Sequence, residues 1–334
     1  MIRKILISLG ILLIAGIIAF LLLAQNSSVY TAEIESTVAS VIRINAPLTL
    51  AVFTDIHHDP EDKVDPLPDM TQCLQKLFSR CRIDALWNLG DLINGHNCTK
   101  EQATALLQEV ITAEQFVTDH YHNIEGNHDN NIQSTWESSG NLPESVVLTN
   151  DELNAVLANE GEEHSTLRAT DYYVDFPDQQ IRVICISADY TTFLPETAEW
   201  LRTTALKTDY SVLVLSHCPT RPEWGFKDDI VNGELIEAAL KAFAEGGGTV
   251  IAYIHGHDHG DMNETADDLP WTGVAVGCAR FQVPTSNGTE GMTYQDRHHG
   301  DATKLLFDIV CIDPDNRQVH FIRFGAGQDR VISY

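Results

Sequence analysis

The segment "LTLAVFTDIHH", residues 48–58, is where the sequence predicts that the folded domain begins. Its first six residues are apolar or β-branched, a composition typical of a buried strand. The run leads directly into Asp55 and His57, which are two positions apart and would project to the same side at a strand end. Layered α/β folds usually place their chemistry at such strand ends. The segment therefore predicts a buried strand with a polar site at its end.

Strand-like and helical segments alternate beyond this strand. Helical patterns near residues 71–82 and 100–119 are separated by a strand-like run and followed by another, which predicts an α/β layered fold. The second half is richer in strands and has helical patterns near residues 197–206 and 232–244. A two-sheet β-sandwich flanked by helices would accommodate all of them. Because no linker, repeat or low-complexity run divides residues 46–334, we predict one domain there.

The residues before this domain predict a membrane anchor. Residues 5–24 are an uncharged apolar run, which is long enough to cross a bilayer as a helix. Arg3 and Lys4 lie in the short segment before it, residues 1–4, so the positive-inside tendency places that segment in the cytoplasm. We predict an uncleaved transmembrane helix, a stalk at residues 25–45 and an extracytoplasmic domain. A cleaved signal peptide, which would release a secreted protein, is the alternative.

The charge of the chain excludes one class of partner. Its formal net charge is −27, from 21 basic and 48 acidic residues. A surface with so few cations cannot release the counterions of a polyanion, so long nucleic acid is not expected as a partner. Small phosphorylated molecules are still possible partners if metal ions supply positive charge at the site. The seven cysteines contain no C-x-x-C pair, so they give no sign of structural zinc or of a redox centre.

Five segments at predicted strand ends carry potential metal ligands. They are "TDIHH" at 54–58, "GDLIN" at 90–94, "GNHD" at 126–129, "SHCP" at 216–219 and "HGHDH" at 255–259. Each residue taken alone could be a turn or capping residue. Together they offer oxygen and imidazole donors, a set that suits Fe, Mn, Zn or Co better than calcium. Their joint occurrence at five strand ends favours a transition-metal site.

The order and spacing of these segments resembles the calcineurin-like metallophosphoesterases. The pattern of that family is D-x-H, G-D, G-N-H-[DE], H and G-H-x-H, and all five blocks are present here, over about residues 48–325. The resemblance implies the four-layer fold of these enzymes. It also implies two divalent or trivalent transition metal ions, Fe, Mn or Zn.

Carried over block by block, the resemblance implies which residues bind metal. One ion would be held by Asp55, His57, Asp91 and His259, and the other by Asp91, Asn127, His217 and His257. Asp91 would bridge the two ions, whose combined charge lowers the pKa of a bridging water. The first histidine of the last block, His255, is left without a ligand role.

The resemblance also implies a reaction. His128 corresponds to a catalytic histidine that is not a metal ligand, and Asp129 could orient it. A metal-bridging hydroxide would attack the phosphorus of a small phosphomonoester or phosphodiester outside the cytoplasm. A cyclic-nucleotide or nucleotide phosphodiesterase of the same family is an alternative, as is a non-catalytic binding protein that retains the fold. The pattern predicts no oligomeric state.

Three further side chains near the blocks have two interpretations each. Arg221 follows the His217 block and Arg280 follows a strand end, so either could contact a substrate phosphate or form a surface ion pair. Trp224 could contact a ligand, by stacking on a nucleobase or covering a lipid headgroup, or it could pack on the domain. The sequence is compatible with both interpretations in each case.

Overall fold

The computed structural model describes residues 29–96, 98–132, 146–157, 170–224, 230–281 and 297–334, together with the backbone of residues 163–164. The anchor predicted at residues 5–24 lies outside these ranges. Within them, no helix has both the length and the apolar character that crossing a bilayer requires.

The described strands form two mixed sheets. In chain order they are β1 (Leu48–Phe53), β2 (Ala85–Asn88), β3 (Tyr121–Asn123), β4 (Glu163–His164), β5 (Tyr172–Phe176), β6 (Ile181–Ile186), β7 (Ser211–Ser216), β8 (Val250–His255), β9 (Asp261–Glu264), β10 (Gly273–Val276), β11 (Leu306–Asp313), β12 (Gln318–Gly325) and β13 (Arg330–Ser333). The first sheet has the order β13-β12-β11-β1-β2-β3, and the second has the order β4-β5-β6-β7-β8-β10-β9.

Parallel pairing places the strand ends that matter at common edges. β1 pairs with β2 from Leu50 opposite Ala85 to Phe53 opposite Asn88, and β3 continues the parallel run. In the second sheet β6, β7, β8 and β10 are parallel. The five predicted ligand segments follow β1, β2, β3, β7 and β8, so all of them leave from carboxyl ends, as expected for an α/β site.

Helices cover the outer face of each sheet. They are α1 (Thr31–Ile44), α2 (Leu67–Phe78), α3 (Lys100–Val117), α4 (Asn150–Leu157), α5 (Pro195–Trp200), which continues into a π-helical turn (Leu201–Ala205), and α6 (Gly233–Glu245). α1 to α4 pack on the first sheet, and α5 and α6 pack on the second. The order helices, sheet, sheet, helices confirms the predicted two-sheet sandwich flanked by helices.

The apolar run of β1 is explained by burial on both of its faces. Leu48, Leu50 and Val52 pack between the two sheets, whereas Ala51 and Phe53 point toward the helices of the first sheet. All five side chains are at most 2% exposed. Successive side chains of a strand alternate between faces, so a strand at the centre of a four-layer fold needs apolar residues at every position.

The predicted stalk, residues 25–45, differs from the structure over most of its length. Residues 31–44 form the helix α1, and Ile34, Val38 and Val41 are buried in the core of the first sheet. Their spacing of four and three residues places them on one helix face. The polar residues of the segment led to the stalk interpretation, whereas the periodicity of its apolar residues already favours a helix.

A buried polar contact connects α3 to the loop after β2. The carboxylate of Glu114 accepts hydrogen bonds from the side-chain amides of Asn88 (3.0 Å) and Asn123 (2.9 Å). The side-chain oxygen of Asn88 in turn accepts from the backbone N–H of Gly90 at 3.2 Å. Burial raises the pKa of Glu114 to about 7, although both amides act in the opposite direction. This chain of contacts positions the G-D block at the end of β2.

Candidate metal centre

Backbone hydrogen bonds join four of the five loops in two neighbouring pairs. The N–H groups of Asp55 and His57 donate to the carbonyl oxygens of Gly90 (3.0 Å) and Asp91 (2.9 Å), so the loops after β1 and β2 run side by side. Within the second sheet, the N–H of Gly256, which follows β8, donates to the carbonyl of His217, which follows β7, at 3.0 Å.

Most of the predicted ligands have left-handed backbone conformations. Positive φ angles occur at Asp55 (54°), His57 (44°), Asp91 (55°), His257 (71°) and His259 (56°). Such angles are uncommon outside glycine and cost about 1–2 kcal/mol per residue. Strain of this kind persists where the surrounding structure holds a functional geometry in place. The motif spacing did not reveal this feature.

Two motif glycines permit the close approach of the loops. A Cβ on Gly126 would lie 2.2 Å from the backbone nitrogen of Asp91 and 2.3 Å from its Oδ1. A Cβ on Gly256 would lie 2.0 Å from Oγ1 of Thr54 and 2.6 Å from Oδ2 of Asp55. The glycines of the G-N-H and G-H-x-H blocks are therefore required by packing, since any side chain would push the loops apart.

The first group of donor atoms converges between the loops after β1 and β8. Nε2 of His259 lies 3.2 Å from Oδ1 of Asp55 and 3.1 Å from Nε2 of His57. Nε2 of His57 is also 3.6 Å from Oδ2 of Asp91. Among the described residues, the buried Oδ1 of Asp55 has no hydrogen-bond partner. Two imidazole nitrogens and two carboxylate oxygens that point at one another fit a cation between them.

A second group shares Asp91 with the first. Oδ2 of Asp91 lies 3.4 Å from Nε2 of His217, and Oδ1 of Asn127 lies 3.0 Å from that nitrogen and 2.8 Å from Nδ1 of His257. The other carboxylate oxygen of Asp91, Oδ1, accepts a hydrogen bond from the backbone N–H of His128 at 2.9 Å. That bond leaves Oδ2 directed toward both groups. The residues therefore fit two cations that share one carboxylate oxygen.

The buried carboxylates and imidazoles of the site shift one another's pKa values. Burial alone would raise the pKa of Asp55, but the imidazoles of His259 and His217 have the larger combined effect and lower the pKa to about 2. Burial lowers the pKa of His57 to about 3, against the attraction of Asp91. Burial alone would lower the pKa of His217, but the negative charges around it, chiefly Asp91, outweigh burial and raise the pKa to about 9. The buried carboxylates thus hold positive charge in place, and protons and metal ions compete for that position.

His128 lies beside both donor groups and has a defined orientation. Its Nδ1–H donates to the backbone carbonyl of Asn94 at 2.7 Å. Its Nε2 is 3.8 Å from Oδ2 of Asp91, and its ring meets that of His57 edge to face, with centroids 4.6 Å apart. A fixed hydrogen bond at one ring nitrogen decides what the other nitrogen can do. Nε2 is therefore the atom of His128 that faces the site.

The structure does not support the predicted role of Asp129 in orienting His128. The Asp129 carboxylate is fully buried and accepts hydrogen bonds of 2.7–3.3 Å from the backbone N–H groups of Asp91, Leu92, Ile93 and Gly126. These donors occupy its oxygens, and the carbonyl of Asn94 orients His128 instead. Asp129 positions the loop after β2, which carries the shared ligand.

His255 has a structural partner that the sequence did not indicate. Its Nε2 is 2.7 Å from Oε2 of Glu264, and its Nδ1 is 3.1 Å from the carbonyl oxygen of Gly256. Burial alone would lower the pKa of His255, but Glu264 and the neighbouring acceptors outweigh burial, so the pKa is raised. A histidine that donates from both nitrogens carries a positive charge. This buried pair connects β8 to β9 beneath the G-H-x-H block.

The structure distinguishes the two interpretations for Arg221 and Trp224, and it places Arg280 near the site. Arg221 forms ion pairs with Glu237 and Asp268, so it has the structural role that the sequence left open. Trp224 is 5% exposed and packs in the core of the second sheet, which favours domain packing over base stacking. Arg280 lies next to the site, close to Asn94.

Comparison with known proteins identifies the family. The sequence profile of the calcineurin-like phosphoesterases matches residues 48–261. The chain belongs to the calcineurin-like phosphoesterase family. The matched region contains all five ligand-bearing loops, and it confirms the resemblance noted in the motifs. No curated protein matches this phosphoesterase in a sequence search.

Solved structures align with this phosphoesterase, and a dimetal phosphatase among them shares its fold. A dimetal phosphatase from Danio rerio aligns with a TM-score of 0.58 and 14% identity, covering 86% of this chain and 99% of that chain. GAP50 of Plasmodium aligns with a TM-score of 0.47 and 13% identity, covering 82% of this chain and 84% of that chain. A putative 5′-nucleotidase from Staphylococcus aureus aligns with a TM-score of 0.40 and 15% identity, covering 86% of this chain and 54% of that chain.

Family and site agree on the class of reaction. The chain carries the phosphoesterase profile, and its carboxylates and imidazoles form clusters that could hold metal ions, such as Asp55 with His57 and His259. The protein is thus a metal-dependent phosphoric ester hydrolase, as the motifs predicted.

Proposed function

We propose that this phosphoesterase hydrolyses small phosphate esters at two metal ions that share Asp91. Asp55, His57 and His259 complete the first site, and Asn127, His217 and His257 complete the second. The observation that carries the proposal is the position of Oδ2 of Asp91, which lies 3.6 Å from Nε2 of His57 and 3.4 Å from Nε2 of His217. One anionic oxygen directed at two donor groups is the arrangement that a dimetal hydrolase requires.

The donor chemistry favours Fe, Mn or Zn. Four imidazoles in the proposed ligand set give it too much nitrogen character for calcium, and its carboxylates suit harder transition ions. Two such ions, when bound, offset the charge of the phosphoryl oxygens and lower the pKa of a water molecule. The net charge of −27 fits small substrates that meet this local positive charge, and it disfavours long nucleic acid.

His128 is proposed as the general acid. The carbonyl of Asn94 holds the Nδ1–H, so Nε2 carries the exchangeable proton toward the site. A proton delivered from Nε2 to the leaving oxygen would avoid an unstable alkoxide product. The substrate is a phosphomonoester or a phosphodiester, and nucleotides and cyclic nucleotides belong to the range proposed.

Metal removal tests this function. The purified full-length protein should hydrolyse 4-nitrophenyl phosphate or bis(4-nitrophenyl) phosphate, and a chelator should reduce the rate to background, because the site residues alone cannot offset the phosphoryl charge. Added Mn, Fe or Zn should restore the rate, and comparison of the two esters separates monoesterase from diesterase. Activity that survives the chelator, in protein that contains no metal by elemental analysis, would rule out the dimetal proposal.

We also propose that residues 5–24 anchor the chain and that the phosphoesterase domain lies outside the cytoplasm. The support is the uncharged apolar run with Arg3 and Lys4 before it. Protease added to intact cells should therefore cleave the domain, and the mature protein should retain the apolar run. Cleavage only after lysis would reverse the topology. A mature amino terminus near Gln25 would replace the anchor with a cleaved signal peptide.

A further inference from the structure

Arg280 is fixed at the edge of the metal centre by its backbone. Its N–H donates to the backbone carbonyl of Asp55 at 3.1 Å, and the N–H of Ala279 donates to the backbone carbonyl of Thr54 at 2.9 Å. The carbonyl of Arg280 accepts a hydrogen bond of 2.7 Å from the buried guanidinium of Arg297. The segment after β10 is thus held along the loop that carries the first ligand.

The Arg280 side chain reaches Asn94, the residue that orients His128. Its Nη1 lies 3.4 Å from Oδ1 of Asn94 and its Nη2 lies 2.6 Å from Oδ2 of Asp62. The backbone carbonyl of the same asparagine accepts the hydrogen bond of His128. One residue, Asn94, therefore separates the guanidinium from the imidazole. The Arg280 side chain is 26% exposed, so it is accessible from solvent.

The ion pair with Asp62 leaves Arg280 able to bind a further anion. A guanidinium has five N–H donors in a fixed plane, and Asp62 and Asn94 each accept from only one terminal nitrogen of Arg280. The pair is partly exposed, with Asp62 at 22%, and pairs of this kind contribute little binding energy. By contrast, Arg221 is held between Glu237 and Asp268.

We propose that Arg280 binds a second anionic group, a phosphate or a carboxylate, on the leaving-group part of the substrate. The inference rests on the proposed function, because His128 marks the side from which the leaving group departs. The two metal ions would account for the charge of the reacting phosphoryl group only. A second anion on the alcohol would enter a strongly acidic protein at a disadvantage unless a cation such as Arg280 met it. The preferred substrates are therefore phosphate esters of anionic alcohols.

Matched synthetic substrates test the proposal. Phenyl phosphates that carry a carboxamide, a carboxylate or a phosphonate at the 3- or 4-position differ mainly in charge. The quantity measured is the ratio of kcat/KM for each anionic ester to that for the carboxamide. Arg280→Gln should lower this ratio about tenfold, the effect of losing one charge-assisted hydrogen bond. Arg280→Lys should retain part of the ratio because it keeps the charge.

A matched control and a binding measurement complete the test. Arg202→Gln, which removes an exposed ion pair with Glu199 on the outer helix layer, should leave the ratio unchanged. An unchanged ratio in Arg280→Gln would overturn the proposal, and the response of carboxylate or phosphonate alone would identify the anion. If no ester is hydrolysed, the proposed function fails. Calorimetry then still decides the role of Arg280. It compares how tightly the wild type and Arg280→Gln bind aryl phosphonates that carry the same anionic or carboxamide groups, as the ratio of the two affinities.

Discussion

Replacement of Asp91 by asparagine is expected to remove metal binding and hydrolysis together. Oδ2 of Asp91 points at both donor groups. The residue is 1% exposed, as fully buried as the apolar residues of the core. Asparagine preserves the shape but removes the shared negative charge. Loss of a group that merely supports a ligand already costs about 10–100-fold in metal affinity, so loss of the shared ligand should cost more. We expect no measurable turnover from the variant under conditions in which the wild type is saturated with metal.

The experiment measures metal stoichiometry by elemental analysis beside kcat. Asp315→Asn is a matched control, because this exposed aspartate lies in the turn between β11 and β12. β11 is antiparallel to β1, so its carboxyl end lies beside the start of β1, away from the ligand loops. The control should match the wild type in both measurements. Two bound metals and normal turnover in Asp91→Asn would show that Asp91 is not the shared ligand.

The second large effect on turnover is expected from replacement of His128, which, unlike replacement of Asp91, should leave metal binding intact. His128→Gln should keep both metals, since the proposed ligand set does not include this side chain, yet it should lose about 10²–10⁴ in turnover as a general acid is removed. The loss should be greatest for alkyl phosphates, whose leaving oxygen needs a proton. It should be much smaller for 4-nitrophenyl phosphate, whose leaving group departs as a stable anion.

The measurement is kcat on both esters together with metal content. His120→Gln is the matched control, because this exposed histidine lies just before β3, at the end of the parallel strands opposite the site. Metal loss in His128→Gln comparable to that of Asp91→Asn would make His128 a ligand. Full turnover on the alkyl ester would remove it from the mechanism.

Much of the architecture could be predicted from local pattern. The apolar runs of β1, β7 and β8 predicted strands because a strand between two packed layers must be apolar on both faces. Short or polar elements were not predicted. The helix α4 and the strands β9 and β13 are only eight, four and four residues long, and their stability comes from neighbours that a local pattern does not contain. The helix α1 was interpreted as a stalk although the spacing of Ile34, Val38 and Val41 already places them on one helix face.

The sequence by itself determined the family, the sandwich and the set of side chains at five strand ends, because those properties depend on residue type, order and spacing. Only the tertiary structure decided how the side chains are used. Asp129 holds a loop, His255 pairs with Glu264, and Arg280 approaches His128 through Asn94. Several of these contacts join residues far apart along the chain. Their hydrogen bonds depend on the direction in which each side chain leaves a folded backbone, and no local pattern records that direction.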